Sequence, residues 1–158
     1  MNIRIGNGYD VHRLAAGLPL WLGGVLIPHT QGSVAHSDGD VLIHAICDAL
    51  LGAAGLRDIG VYFPDTDASY KGVDSKILLK KVANLIMEKG FSIGNIDTII
   101  CLQQPKIKDF IPQMQETLAT VMGIEAENLS IKATTTEKLG FVGREEGISA
   151  YAVVLLSK

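Results

Sequence analysis

The segment from Val41 to Ala54 constrains the fold more than any other part of this chain. Ser37-Asp38-Gly39-Asp40 offers N-cap chemistry just before it and Gly55 a stop just after it, so the spacing predicts a helix over 41–54. Val41, Ile46, Leu50 and Ala53 give that helix an apolar surface suited to packing. Asp40, His44 and Asp48 fall at i, i+4 and i+8, which makes one polar stripe. Solvated helix faces prefer Lys and Glu, and this helix has neither. The stripe lines either solvent or a site. A histidine with a carboxylate one turn to either side can bind a metal while a neighbour orients its other ring nitrogen.

Around that helix the signals alternate between strand and helix. Asn2 to Val11 reads as a strand interrupted by Gly6 and Gly8, and Leu20–Leu22 and Val25–Ile27 flank Gly23-Gly24 as a hairpin. Asp74 caps a second helix with Ile77, Leu78, Val82, Leu85 and Ile86 on one face and Gly90 at its end. Ile96 to Leu102 reads as a strand, and Asp109 to Met122 as a third helix with Pro112 in its first turn. Leu129 to Thr134 and Ile148 to Leu156 are strands, the last apolar enough to be covered on both faces. The mixture predicts an α+β class, a mixed β-sheet with helices packed on one face. With no repeat, charged tail or Ser- or Pro-rich linker, residues 1–158 are expected to form a single domain. Gly is 17 of 158 residues, above the usual share of roughly 7%, so the backbone turns sharply or approaches something closely in several places.

Several classes are excluded. Lys plus Arg is 14 against 17 for Asp plus Glu, a net charge of −3, which argues against a surface built for nucleic acid or anionic lipid. Leu14 to Ser37 carries no Lys, Arg, Asp or Glu, but Gly17, Pro19, Gly23, Gly24, Pro28 and Gly32 break it as a membrane span. Met1 leads straight into strand-like Ile3 and Ile5, so no export signal is expected. Cys47 and Cys101 lie far apart among apolar neighbours and read as small core residues in a reducing, cytoplasmic compartment.

Three further constellations carry chemistry. Asp10 and His12, two apart on a strand, project from one face; they are either two ligands of the kind zinc accepts or a strand-end pair bonded to each other. Asp58-Ile59-Gly60 and Phe63-Pro64-Asp65-Thr66-Asp67 read first as turn chemistry, with Asp65 closing an Asx-turn. The alternative is a rim on which Asp58 accepts two hydrogen bonds from a ribose diol. The run Lys132 to Phe141, followed by Gly143 and Arg144, sets three hydroxyls and a carboxylate beside cations and glycines. That composition suits phosphate oxygens and a hard divalent cation; a capping Thr136 alone does not account for the set.

Taken in order, these blocks resemble the 2-C-methyl-D-erythritol 2,4-cyclodiphosphate synthase family. The matching residues are Arg4 to His12, Ala35 to Val41, His44 to Gly52, Asp58-Ile59-Gly60, Phe63 to Asp67, Gln104-Pro105-Lys106 and Lys132 to Gly147, nearly the whole chain. The resemblance implies a ferredoxin-like or chorismate-mutase-like fold and a homotrimer with sites between subunits. The activity implied is cyclisation of 4-diphosphocytidyl-2-C-methyl-D-erythritol 2-phosphate with release of CMP. It implies Zn2+ on Asp10, His12 and His44, and Mg2+ or Mn2+ held by Glu137 against the diphosphate. His36 and Thr135 would stabilise the transition state. Ser37, Asp58, Gly60, Phe63, Pro64, Asp65, Thr66 and Asp67 would bind substrate on one side. Leu102, Pro105, Lys106, Ile107, Lys108, Thr134, Thr136, Phe141 and Arg144 would do so on the other. A metal-dependent phosphohydrolase and a non-catalytic nucleotide sensor of ferredoxin-like type are the competing readings; the sensor has no use for Asp10, His12 and His44 together.

Overall fold

A computed structural model describes residues 2–158; Met1 lies outside the described residues. In chain order the elements are β1 (Ile3–Ala16), β2 (Leu20–Leu22), β3 (Val25–Ile27), β4 (Gln31–Val34), α1 (Val41–Ala53), α2 (Ile59–Tyr62) and α3 (Ser75–Glu88). There follow β5 (Ser92–Cys101), α4 (Ile111–Met122), β6 (Leu129–Thr134), α5 (Gly140–Gly143) and β7 (Gly147–Ser157). The main sheet runs β4-β1-β7-β5-β6, antiparallel except for the β5/β6 pair, and β2/β3 form a separate hairpin.

The sheet is mixed because α4 carries the chain from β5 to a parallel β6. The long strands and helices therefore follow β-α-α-β-α-β-β rather than the β-α-β-β-α-β order of a ferredoxin-like unit, which corrects that part of the expectation. The helices do pack on one face. Among the described residues no helix is long and apolar enough to cross a membrane.

Helix α1 is the centre of the core. Leu42, Ile43, Ile46, Leu50 and Leu51 are fully buried in it, each worth about 1.5–3 kcal/mol of apolar burial. Its seat on the sheet is cut by glycine. A Cβ at Gly6 would collide with Ala49 and Ala53, and one at Gly8 with the backbone of Ala45 and Ala49. Two bare positions on β1 thus meet three alanines spaced by four on α1, and the helix lies directly on the strand. That close approach brings His44 over Asp10 and His12, the next residues on the same strand face.

The N-terminus of α1 is fixed by Asp40, whose Oδ1 accepts from the N–H of Ile43 (3.1 Å). The same carboxylate accepts from the N–H of Gly23 (3.0 Å) and Gly24 (2.7 Å), the two left-handed glycines of the β2–β3 turn. Burial pushes its carboxyl up, and these three N–H donors oppose the rise. Asp40 therefore belongs to the cap and the hairpin, not to a functional stripe with His44 and Asp48. As a cap it stands outside the helix proper, where the spacing rule no longer applies.

Two further expectations are corrected by packing. On α3 the buried face is Ser75, Leu78, Leu79, Val82, Ala83 and Ile86, while Ile77 is half exposed. The last strand is covered on one face only. Tyr151 and Val153 of β7 stand open beside Ile5, Tyr9 and Val11 of β1, so an apolar sheet face is uncovered within one chain. Cys47 is buried and Cys101 only partly so; neither forms a disulfide.

Candidate metal centre

Asp10, His12 and His44 converge where α1 crosses the end of β1. Asp10 Oδ2 lies 3.0 Å from His12 Nε2 and 3.0 Å from His44 Nδ1, and the two ring nitrogens are 3.2 Å apart. Ligands bound at about 2.0–2.1 Å in a tetrahedron stand roughly 3.3 Å from one another, so this triangle has the size of one face of a zinc site. Two imidazoles and a carboxylate are a donor set that zinc accepts, and three protein ligands leave a fourth position for substrate. Among the described residues this is the one cluster of three such groups that could hold a metal ion.

The electrostatics agree with a cation position. Burial alone would raise the Asp10 carboxyl, but hydrogen bonds from His12 and His44 and the attraction of both rings outweigh it. They hold the carboxyl well below the usual carboxylate range. Burial alone would lower His44; its bond to Asp10 and the charges of Asp10, Asp40 and Asp38 raise it instead. Three carboxylates thus draw positive charge to this point, in a chain whose net charge is only −3.

The triad opens into a cleft of about 480 Å3, the range in which small ligands are held. His36, Ser37, Gly60, Phe63, Pro64 and Asp65 line it, as do Asp48, Tyr70 and Val73, which lie outside the expected substrate contacts. Asp48 is not idle on its helix: its Oδ1 accepts the N–H of Ile59 (2.7 Å) and so pins the start of α2, the Asp58–Gly60 rim. Asp58 itself caps α2 without a side-chain hydrogen bond, leaving its carboxylate free beside Gly60. The Asx-turn of this rim is closed by Asp67, which accepts from Ser69 N–H (2.9 Å), and not by Asp65. Thr66 and Asp67 adjoin the cleft without lining it. His36 Nε2 stands 3.4 Å from the Asp67 carbonyl.

The sequence profile of the YgbB family matches residues 3–157. The chain belongs to the YgbB family. A relative from Bacteroides thetaiotaomicron, named 2-C-methyl-D-erythritol 2,4-cyclodiphosphate synthase, is 64% identical over 158 residues, 100% of this chain and 99% of that one. One from Porphyromonas gingivalis with the same name is 63% identical over 97% of this chain and 94% of its own. A solved structure described as IspF from Plasmodium falciparum in complex with CDP has a TM-score of 0.86 at 38% identity, covering 98% of this chain and 96% of that chain.

In this YgbB-family chain the remaining expected site residues form a second group that does not line the triad's cleft. They gather where β5 and β6 end: Leu102 N–H donates to the Thr134 carbonyl (3.0 Å) and Lys138 N–H to Gln103 Oε1 (3.3 Å). The 134–138 loop is held internally. Thr134 Oγ1 donates to the Thr135 carbonyl (2.9 Å), Thr136 Oγ1 to the Leu139 carbonyl (2.7 Å) and Thr135 Oγ1 to Glu137 Oε1 (3.4 Å). Glu137 and Lys138 both take left-handed backbone, with φ of 54° and 62°, and Gly143 is required because a Cβ there would strike the Lys138 backbone. Pro105, Lys106, Lys108, Glu137 and Phe141 are solvent-facing or nearly so.

Four members of the group differ from expectation. Leu102 and Ile107 are buried, so only their backbone can face a ligand. Arg144 forks onto Glu146 at 2.9 and 3.2 Å instead of standing free. Lys132 turns to the open sheet face and pairs with Asp97 at 2.6 Å, which removes it from the phosphate-binding set. Asp38 and Ser75, which build the His44 environment, carry no site signal in the sequence. Asp38 reads as cap chemistry, and nothing local to Ser75 marks it, because its partner lies 31 residues away.

Proposed function

We propose that this chain cyclises 4-diphosphocytidyl-2-C-methyl-D-erythritol 2-phosphate to 2-C-methyl-D-erythritol 2,4-cyclodiphosphate and CMP, as a phosphorus–oxygen lyase of non-mevalonate isoprenoid precursor synthesis. The observation that carries this is the Asp10–His12–His44 triangle at the head of a nucleotide-sized cleft, in a chain related end to end to synthases of that name. The 2-phosphate oxygen attacks the diphosphate phosphorus nearer the erythritol, a P–O bond forms, and the bond to the CMP phosphate breaks. The nucleophile is already an anion, so no serine or cysteine nucleophile is required. The obstacle is bringing two anions together, and the work is positioning and electrostatics.

Asp10, His12 and His44 would hold Zn2+, and Glu137 of the partner subunit Mg2+ or Mn2+; these cations supply charge neutralisation and polarisation of phosphate oxygens. Asp58 accepts from the ribose diol beside Gly60, while Ser37, Phe63, Pro64, Asp65, Thr66 and Asp67 wall the erythritol side. From the partner subunit come Leu102 to Lys108 around the cytosine, with Pro105, Lys106, Ile107 and Lys108 among them, and Thr134, Thr136, Phe141 and Arg144 toward the phosphates. His36 and Thr135 stabilise the transition state from opposite sides. Residues 1–158 act as one domain in a cytoplasmic homotrimer. Two observations support that arrangement: the uncovered apolar face of β1 and β7, and the separation of the two groups of residues within one chain.

Phosphorus NMR on purified protein given the diphosphocytidyl substrate tests the reading. A cyclic diphosphate plus CMP supports it. A linear product indicates a phosphohydrolase instead, and unchanged substrate with bound nucleotide indicates a sensor.

A further inference from the structure

The metal centre has a second layer. His44 Nε2, the ring nitrogen turned away from Asp10 and His12, lies 3.0 Å from Ser75 Oγ and 3.2 Å from Ser37 Oγ. Ser75 opens α3, is fully buried, and is gripped twice by Asp38: its Oγ is 2.5 Å from Asp38 Oδ1 and its N–H donates to Oδ2 at 2.9 Å. An ionised carboxylate only accepts, so the Ser75 hydroxyl proton must point to Asp38. Its lone pairs are then left for His44, and Ser75 can act toward the ring only as an acceptor. Ser37 is a weaker candidate, because its Oγ already accepts the Gly39 N–H at 3.2 Å.

We propose that Asp38 and Ser75 form a positioning relay that keeps a proton on His44 Nε2 and thereby aims the Nδ1 lone pair at the metal. The inference rests on the reading of Asp10, His12 and His44 as metal ligands. Direction runs one way along the chain of contacts: His44 Nε2–H donates to Ser75 Oγ, and Ser75 O–H donates to Asp38. The ring is thereby fixed in tautomer and in orientation. Asp38 is held in turn, since its N–H donates to the Val73 carbonyl (3.1 Å) while Gly72 N–H donates to the His36 carbonyl (2.7 Å). The rim that receives substrate and the outer layer of the metal centre are therefore stitched by the same residues, 36–38 and 72–75.

The test uses full-length protein and zinc as the probe. Zinc affinity is measured by chelator competition for wild type, Ser75→Ala, Ser75→Thr, Asp38→Ala and Ser37→Ala. Nitrogen-15 NMR of histidine-labelled, zinc-loaded wild type reads the His44 Nε2 proton directly. We expect a hydrogen-bonded, slowly exchanging Nε2–H in wild type. In Ser75→Ala and Asp38→Ala, zinc affinity should drop by roughly 10–100-fold, the usual effect of removing an outer-layer partner. Ser75→Thr should restore it, which a mere packing defect would not permit, and Ser37→Ala should lose less. Wild-type affinity in Ser75→Ala, or an unprotonated Nε2 in the wild-type spectrum, overturns the relay. If Ser75→Ala does not fold, the wild-type spectrum alone decides. Failure of wild type to bind zinc at all would instead bring down the metal-centre reading, and it shows in the first titration.

Discussion

The half of the molecule built on α1 and the half built on the ends of β5 and β6 are organised in opposite ways. Around Asp10, His12 and His44 the side chains are half-buried or better, held from behind by Ser75 and Asp38 and seated by a helix lying on bare glycines. Around Glu137 the side chains are exposed, the backbone is left-handed, and the polar contacts are mostly within the loop itself. One half is a finished ligand set. The other is a presenting surface whose residues do not line the triad's cleft. Under the homotrimer we propose, a site that needs both halves would be completed across a subunit boundary, where the second half of one chain reaches the first half of another.

Removing one residue from each half should separate the two most strongly. His44→Ala should lose bound zinc and lose turnover by more than the roughly 10–100-fold typical of outer-layer changes, with circular dichroism unchanged. Glu137→Ala should lose turnover to a similar degree but retain stoichiometric zinc. Zinc retained in the first variant, or lost in the second, would dissolve the distinction.

Stability should follow the same divide. Gly8→Ala forces a Cβ into the backbone of Ala45 and Ala49, an overpacking cost of about 1–3 kcal/mol or more. Thermal unfolding should register it at roughly 2–4 °C per kcal/mol. Gly140, with φ of 65° and open space around it, carries only the left-handed backbone cost, roughly 1–2 kcal/mol. Gly8→Ala should therefore be the more damaging, and its zinc affinity should fall as His44 shifts from Asp10. An equal or larger loss from Gly140→Ala would mean that the two halves are equally tightly packed.

The smallest effect concerns pH. Burial above all, with Asp58 and Asp10 nearby, raises the Asp48 carboxyl from its ordinary 3.8 despite the Ile59 N–H. A raised value in the fold means that Asp48 favours folding when protonated, and this contribution fades as pH rises from the ordinary carboxylate range through the raised one. Asp48→Asn keeps an acceptor for Ile59 and has no charge to lose. In metal-free protein its stability relative to wild type should improve from about pH 4 toward neutrality and then level off. A gap that moves the other way would show that Asp48 is stabilised as a charge.

How much of this could be read from the sequence depends on how local each feature is. Helix α1 ends within a residue of its expected bounds because Asp40 and Gly55 mark it locally, and β6 matches Leu129 to Thr134 throughout. Strand β1 runs on past Val11 to Ala16 because its last residues pair with β4, a contact that alternation within 2–11 does not reveal. Helix α4 begins at Ile111, since Lys108–Phe110 form a tighter 3-10 turn. In the site, a period of two places Asp10 and His12 together. The meeting with His44 depends on how deeply α1 settles onto Gly6 and Gly8, and that is tertiary. Ser75 has no local signature at all, and the loss of Lys132 to Asp97 follows from strand pairing.

The central claim is that the two halves of the site come from different chains, and rescue between inactive variants tests it most directly. His44→Ala and Glu137→Ala chains are mixed equally, unfolded and refolded together, and mixed trimers are confirmed by mass. A working site needs an intact triad, which only the Glu137→Ala chain supplies, facing an intact Glu137, which only the His44→Ala chain supplies. Random closure of a ring creates that pairing at about one interface in four. Activity should return to roughly a quarter of wild type from two parents with almost none. Mixed trimers with no recovery would place the triad and Glu137 of a working site in one chain, and would contradict the account.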